Sequence, residues 1–147
     1  MNDKAPGKFP SALAALALAA GLVSAACSSV SLKEAPSQAL TGAQEVPPVT
    51  TSATGKGDIA ISSDGAVTGA VTTTNLDGTM AHIHIAPAGV NGPVIIPLVK
   101  TAEGTWSVPP GAKLTPDQLK AFKEGGLYVN VHSAANKGGE IRAQLKP

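Results

Sequence analysis

The chain has 147 residues, enough for one domain, and its 11 basic and 10 acidic residues give a formal net charge of +1 with neither sign clustered. This balance excludes a basic surface for nucleic acid, and it argues against electrostatic attachment of the folded part to acidic lipid. Aromatic residues make up only 3% of the chain, whereas Val, Thr, Gly and Pro are frequent, so short β-strands separated by turns are expected.

Residues 1–26 have the three parts of a secretion signal. Lys4 and Lys8 form a positively charged start, residues 12–23 are apolar and uncharged, and residues 24–26 form a small-residue cleavage site. The apolar run is shorter than the roughly 20 residues that a membrane-spanning helix needs. We therefore expect a signal peptide over residues 1–26 and an exported protein that is either held in the cell envelope or secreted.

The only cysteine, Cys27, directly follows this cleavage site. Its position resembles the lipobox of bacterial lipoproteins, in which the cysteine is acylated and becomes the new N-terminus. Ser24 departs from that pattern, which usually has Leu at this position, so cleavage by ordinary signal peptidase is the alternative. An unpaired thiol is a liability in an oxidising compartment, which favours lipidation of Cys27. Residues 27–38 would then be a flexible tether, with the lipid as the only membrane attachment.

Short alternating segments begin near Leu40. Residues 57–61 and 67–71 alternate on either side of the turn residues 63–65, which predicts a hairpin. Residues 80–86 alternate as well and predict a further strand.

The apolar run at residues 94–99 suits a strand that is buried on both faces. Pro97 lacks an N–H group and favours an edge strand or a bulge within this run.

One short helix is predicted after Leu114. Thr115 at the N-cap and Gln118 three residues later form a capping box around Pro116, and Gly125 marks the end of the segment. A helix of about ten residues is unstable alone, so it must dock on the strands.

Two alternating segments at residues 127–133 and 139–145 complete the chain, with a turn at residues 136–139 between them. The spacing of all these strands predicts an all-β fold, either an antiparallel β-sandwich or a small Greek-key barrel, with one short helix.

Five segments in this order resemble the CHRD (chordin) domain family over residues 39–147. They are Leu40-Thr41-Gly42-Ala43-Gln44-Glu45-Val46-Pro47-Pro48-Val49, Ala81-His82-Ile83-His84, Gly89-Val90-Asn91-Gly92-Pro93-Val94, Leu127-Tyr128-Val129-Asn130-Val131-His132-Ser133 and Gly138-Gly139-Glu140-Ile141-Arg142. Lys137 and Ala143 depart from the pattern, where the family often has Pro and Gly. The resemblance implies an extracellular β-sandwich-like module. In animals such domains occur in chordin, which binds secreted growth factors, and the family supplies no catalytic residues to transfer.

All three histidines of the chain lie inside these motifs. His82 and His84 are two residues apart on a predicted strand, so their side chains leave the same face with about 6.5–7 Å between Cα atoms. His132 lies on the polar face of a later strand and is placed to supply a third nitrogen. Neutral imidazoles are ligands that suit copper and zinc. We therefore predict one copper or zinc site formed by His82, His84 and His132.

Four further residues are predicted to support this site. Met80 shares the face of His82 as a weak axial thioether, and Asn130, Glu140 and Arg142 share the polar face of the last two strands. Glu140 is the predicted carboxylate partner that orients an imidazole. In the alternative interpretation, no metal binds, and the histidines form a polar patch in which Glu140 accepts a hydrogen bond from His132 and pairs with Arg142 or another cation.

Three functions are compatible with the sequence. The first is an exported, envelope-anchored CHRD-domain module that binds an unknown extracellular or envelope ligand and one copper or zinc ion. The second is a metal-dependent redox or stress enzyme that uses the same histidines, and the third is a structural or adhesive envelope protein without a metal. No catalytic residues are predicted, because Ser133 beside His132 would point to the opposite face of a regular strand.

Overall fold

The computed structural model describes residues 37–147. The predicted signal peptide, Cys27 and residues 27–36 of the predicted tether lie outside the described residues. Gln38, the last residue of the predicted tether, is the first residue of a strand. The described elements in chain order are β1 Gln38–Thr41, a 3-10 turn at Gly42–Gln44, β2 Thr54–Ile61, β3 Val67–Thr74, β4 Gly78–Ile85, β5 Val94–Pro97, β6 Val99–Ala102, β7 Thr105–Ser107, α1 Pro116–Lys123, β8 Leu127–Ser133 and β9 Ile141–Gln144.

The nine strands form one antiparallel sheet in the order β5-β4-β8-β9-β1-β2-β3-β7-β6. Its two outermost strands, β5 and β6, are separated in the chain by Leu98 alone. The Leu98 N–H donates to the Ala81 carbonyl of β4 at 2.9 Å, so the sheet curls until its two ends meet. The predicted all-β antiparallel fold with one short helix is confirmed, in the form of a nearly closed, barrel-like sheet.

The local patterns that predicted turns and caps agree with the structure. The hairpin of β2 and β3 brings Ile61 opposite Val67. In α1, Thr115 Oγ1 accepts a hydrogen bond from the Gln118 N–H at 3.2 Å, and Gln118 Oε1 accepts one from the Thr115 N–H at 2.9 Å. The capping box therefore satisfies backbone donors that the first helical turn leaves free. None of the helical segments in residues 37–147 has the length and apolar character required to cross a bilayer.

The prediction of a doubly buried strand at residues 94–99 is wrong. The run is divided between β5 and β6, the two ends of the sheet, and Val94 and Val99 are about half exposed (47% and 52%). Pro97 was the informative residue, because a residue without an N–H is tolerated at the edge of a sheet. The following hairpin of β6 and β7 was not predicted, since these strands have only four and three residues and β6 is exposed throughout.

The apolar core lies on one face of the sheet, and strand β8 is buried on both of its faces. All seven residues of β8 are buried. Leu127, Val129 and Val131 belong to the apolar core, which also receives Phe122 from α1. The alternate residues of β8, which are polar or aromatic, therefore point to the other face, where loops cover them and create a buried polar site.

Candidate metal centre

The three histidines come from the neighbouring antiparallel strands β4 and β8. In their register Met80 is opposite His132 and His82 is opposite Asn130, so all three imidazoles leave the same face of the sheet. One ring nitrogen from each histidine lies within 4.8 Å of the corresponding atoms of the other two. The structure thus brings together His82, His84 and His132, the three residues predicted as metal ligands.

Backbone carbonyls hold two of the rings in a defined orientation. His84 Nδ1 lies 2.9 Å from the Gly92 carbonyl oxygen, and His132 Nδ1 lies 2.9 Å from that of Lys137. A carbonyl oxygen can only accept, so the Nδ1 atoms carry the protons and donate. In metal-binding histidines the same bond fixes the ring and directs the lone pair of Nε2 toward the ion. Both rings therefore have the orientation of a metal ligand.

The separation between two of the ring nitrogens is slightly shorter than in a coordination sphere. His82 Nδ1 lies 2.9 Å from His132 Nε2, which identifies a hydrogen bond between the two rings. Around a tetrahedral zinc ion with bonds of about 2.0–2.1 Å, neighbouring nitrogens are about 3.3–3.4 Å apart. An ion between these two nitrogens would replace the proton of the hydrogen bond and hold them about 0.4–0.5 Å farther apart.

Asn130 contacts the ring of His84. Its Oδ1 atom lies 3.0 Å from His84 Nε2, and its Nδ2 atom donates to the Gly138 carbonyl at 3.4 Å. The side chain is buried, and because the neutral His84 ring carries its proton on Nδ1, His84 Nε2 and Asn130 Oδ1 are two acceptors that face each other without a hydrogen bond. A cation bound to His84 Nε2 would relieve this contact between two acceptors, and the supporting role of Asn130 stays a prediction.

The surroundings favour the neutral form of each imidazole. His84 and His132 are buried, whereas His82 is partly exposed. Burial lowers the pKa of all three, and the adjacent His132 and His84 help to lower the pKa of His82 to about 4. Only neutral imidazole has a free lone pair, so the cluster is ready to bind a metal near neutral pH.

Arg142 supports the site through an aromatic ring. Its guanidinium carbon lies 3.3 Å from the ring centroid of Tyr128, and the Tyr128 ring stacks on His84 at 4.7 Å with an interplanar angle of 3°. The guanidinium also donates to Asn91 Oδ1 at 3.2 Å and to the Val90 carbonyl at 2.9 Å. Arg142 is 1% exposed. Its guanidinium group forms one end of a stack that continues through the rings of Tyr128 and His84.

These contacts fix the loop at residues 86–93, which connects β4 and β5. The Gly92 N–H donates to the Tyr128 hydroxyl at 3.2 Å, while the Gly92 carbonyl meets His84. Asn91 Nδ2 donates to the Val46 carbonyl at 2.7 Å and ties the loop to the segment after β1. The position of one metal-ligand candidate therefore depends on a loop that is held by side chains from β8 and β9.

Glu45 is a buried acid that the sequence analysis did not assign to the site. It is 4% exposed, and desolvation raises the pKa of its carboxyl, against the opposing effects of Arg142 and a hydrogen bond from Asn130. The available signal was an acidic residue inside the first CHRD-like motif. Its link to the histidines could not be read from the sequence, because it runs through Asn130, 85 positions along the chain.

The role predicted for Glu140 is wrong. Glu140 Oε1 accepts a hydrogen bond from Thr51 Oγ1 at 2.6 Å, and the two ring nitrogens of His132 meet the Lys137 carbonyl and His82. Glu140 lies before β9, where its side chain turns toward Thr51 and Ser133. A backbone carbonyl occupies the position that the prediction gave to this carboxylate.

Met80 lies on the predicted face but at its margin. It is opposite His132 in the register and remains 49% exposed. The structure thus separates the predicted supporting residues into a buried pair, Asn130 and Arg142, and an exposed thioether beside His82.

Acidification is expected to destabilise the metal-free domain between about pH 7 and pH 5. The pKa values of the three imidazoles are below the 6.5 of an unperturbed histidine, so the unfolded chain binds more protons in this range. The free energy of unfolding therefore decreases as the pH is lowered, until the pH reaches the pKa values of the histidines in the folded state. Arg142 lowers the pKa of His84 further, whereas the raised pKa of Glu45 contributes in the opposite direction.

Urea denaturation at several pH values measures this dependence. Glu45→Gln removes the opposing contribution and should make the decrease steeper. A free energy of unfolding that is constant or rises toward pH 5 would contradict the neutral state of the cluster.

The sequence profile of the family described as CHRD domain matches residues 37–145. Comparison with curated proteins and with solved structures finds no match to the chain. The matched range includes every described strand and the three histidines. It covers well over half of the chain, which therefore belongs to the CHRD domain family.

Proposed function

We propose that this protein is an exported, envelope-anchored binding module that holds one copper or zinc ion through His82, His84 and His132. Membership of the CHRD family supports a binding module. The metal proposal rests on one observation: one ring nitrogen from each histidine lies within 4.8 Å of those of the other two. Two of these rings also donate their Nδ1–H groups to backbone carbonyls. Such carbonyl contacts orient ligands in known metal sites.

The donor atoms favour copper or zinc over harder cations. Imidazole nitrogen suits zinc and copper, whereas magnesium and calcium take oxygen ligands. Burial keeps the rings neutral, which removes the competition of protons for the same lone pairs near pH 7.

Metal analysis of the protein purified without a histidine tag tests the proposal. We expect one equivalent of copper or zinc per chain after metal loading and desalting, and loss of that equivalent in His84→Ala. The three histidines of the site are all the histidines of the chain, so imidazole NMR signals report on the site alone. Each of them should shift on zinc binding and broaden on copper(II) binding.

Glu140→Gln is the matched control, because it changes a side chain that bonds Thr51 and leaves the imidazoles unchanged. It should retain the full equivalent of metal. Failure of the wild-type protein to retain copper or zinc, with the fold intact, would end the proposal.

The cellular location is a separate part of the proposal and rests on the leader sequence. We infer that residues 1–26 are removed and that Cys27 carries a lipid. Mass spectrometry of the native N-terminus tests this, since acylation adds a diacylglycerol-sized mass to Cys27. A free thiol at the new N-terminus would favour a secreted protein, and an uncleaved chain would contradict export.

A further inference from the structure

We infer that a metal ion on the three histidines keeps a coordination position open toward His82 and Met80, and that this position binds a small anion. The inference rests on the proposed metal site and adds a ligand class to it. It follows from the number of protein ligands, from their unequal exposure and from the charge around them.

The three imidazoles leave the coordination sphere incomplete. Zinc in proteins is usually four-coordinate, and sites with three protein ligands hold water or substrate in the remaining position. Copper(II) also takes four or more ligands in tetragonal sites. Within residues 37–147, the cluster of potential His, Cys, Asp and Glu ligands contains the three histidines alone.

The open position faces the solvent on one side only. His84 and His132 are 7% and 6% exposed, and they lie under the 86–93 loop and the turn that carries Lys137. His82 is partly exposed, and Met80, two residues away on the same strand face, is 49% exposed. A ligand from solution would therefore reach the ion beside His82.

The charge at the site selects an anion. Three neutral imidazoles leave the +2 charge of the ion uncompensated, and a bound cation dominates the local field. Arg142 adds a positive charge behind Tyr128 and His84. The carboxyl groups of Glu45 and Glu140 are engaged elsewhere, because Glu45 interacts with Arg142 and Asn130 while Glu140 accepts a hydrogen bond from Thr51.

Two groups of the protein are rivals for the same position. The Met80 thioether is on the correct face, and Asn130 Oδ1 already lies 3.0 Å from His84 Nε2. Both are neutral, so neither offsets the charge of the ion. Coordination by either group would close the site and exclude an anion.

Azide titration of the copper(II)-loaded full protein tests the inference. Azide on copper(II) produces a ligand-to-metal charge-transfer band. We expect this band to saturate at one azide per copper in the wild-type protein and in Met80→Leu, with closely similar dissociation constants. In His84→Ala the saturable band should be lost, which separates the site from copper bound at the surface.

The outcomes distinguish the two proposals. A protein that holds copper but shows no azide band overturns the open position and leaves the metal site intact. A band that appears only in Met80→Leu, or only in Asn130→Ala, also overturns it and identifies the side chain that closes the site. A protein that retains no metal overturns both proposals.

Discussion

Replacement of Arg142 by Met is expected to lower the free energy of unfolding by about 3–5 kcal/mol, the cost typical of breaking a buried charge interaction. Arg142 is 1% exposed and is therefore a cation inside the protein. Its two donated hydrogen bonds and its stacking on Tyr128 compensate for the loss of water. Methionine fills much of the volume but restores none of these interactions.

The substitution also removes a donor from two loop acceptors and a positive charge from beside a buried acid. The Val90 carbonyl and Asn91 Oδ1 lose a hydrogen bond, and the carboxyl of Glu45 loses the nearby positive charge. Val90 and Asn91 are exposed residues, so water can replace part of the lost hydrogen bonding, whereas Glu45 is 4% exposed and keeps a desolvated carboxyl without its neighbouring cation. The predicted loss therefore comes from the stacking and hydrogen bonds of Arg142 itself and from the carboxyl of Glu45 that it leaves behind.

Urea denaturation of metal-free protein measures the effect, and Lys146→Met is the control for removing an exposed cation. That control should change the free energy of unfolding by no more than about 0.5 kcal/mol. Arg142→Lys should recover little, because an ammonium group lacks the planar fork that stacks on Tyr128 and reaches both loop acceptors. A loss below about 1 kcal/mol in Arg142→Met would show that the network contributes little.

A double-mutant cycle with Glu45→Gln isolates the electrostatic part. If Arg142 stabilises the carboxylate of Glu45, the double variant should be less destabilised than the sum of the two single variants. Additive effects would show that the two groups act independently.

The sequence predicted the parts of the site that depend on local periodicity. The alternation of β-strand side chains was sufficient to place His82 and His84 on one face and His132 on the polar face of β8. The capping box of α1 was predictable for the same reason, since it depends on Thr115 and Gln118 alone. Local patterns give reliable results when the interaction spans few residues.

The missed parts depend on backbone groups and on distant segments. The partners of His84 and His132 are the carbonyls of Gly92 and Lys137, and a carbonyl is present at every residue, so it gives no sequence signal. Glu140 was assigned to His132 because a carboxylate is the recognisable side-chain partner of histidine. The sheet order that joins β1 to β9 and brings Glu45 near Arg142 likewise has no local signature.

A methyl group on Gly92 is expected to disrupt both the fold and the metal site. The Cβ atom of an alanine here would overlap the carbonyl oxygen of Ile85 and would lie 2.8 Å from the Cβ of Ala86. Neither neighbour is the flexible end of a long side chain, so the 86–93 loop would have to move. Overpacking of this kind costs about 1–3 kcal/mol, and we expect a loss of about 3 kcal/mol in the free energy of unfolding.

The effect on the metal follows from the two hydrogen bonds of Gly92. A displaced loop moves the carbonyl that fixes His84 and the N–H that meets Tyr128, so the His84 ring loses its orientation. Loss of such an outer-shell partner typically lowers metal affinity by about 10–100-fold. Competition with a chromophoric chelator, carried out under conditions where Gly92→Ala is folded, measures this change for copper and for zinc.

Gly138→Ala provides the matched control in the turn beside His132. An added Cβ there has no atom within 4 Å, so the same chemical change should leave stability and metal affinity close to wild type. If Gly92→Ala is destabilised but keeps full affinity for the metal, the Gly92 carbonyl does not orient His84 and the ring is held by its stacking on Tyr128 instead. Equal effects of the two glycine substitutions would show that steric overlap at Ile85 does not determine the position of the loop.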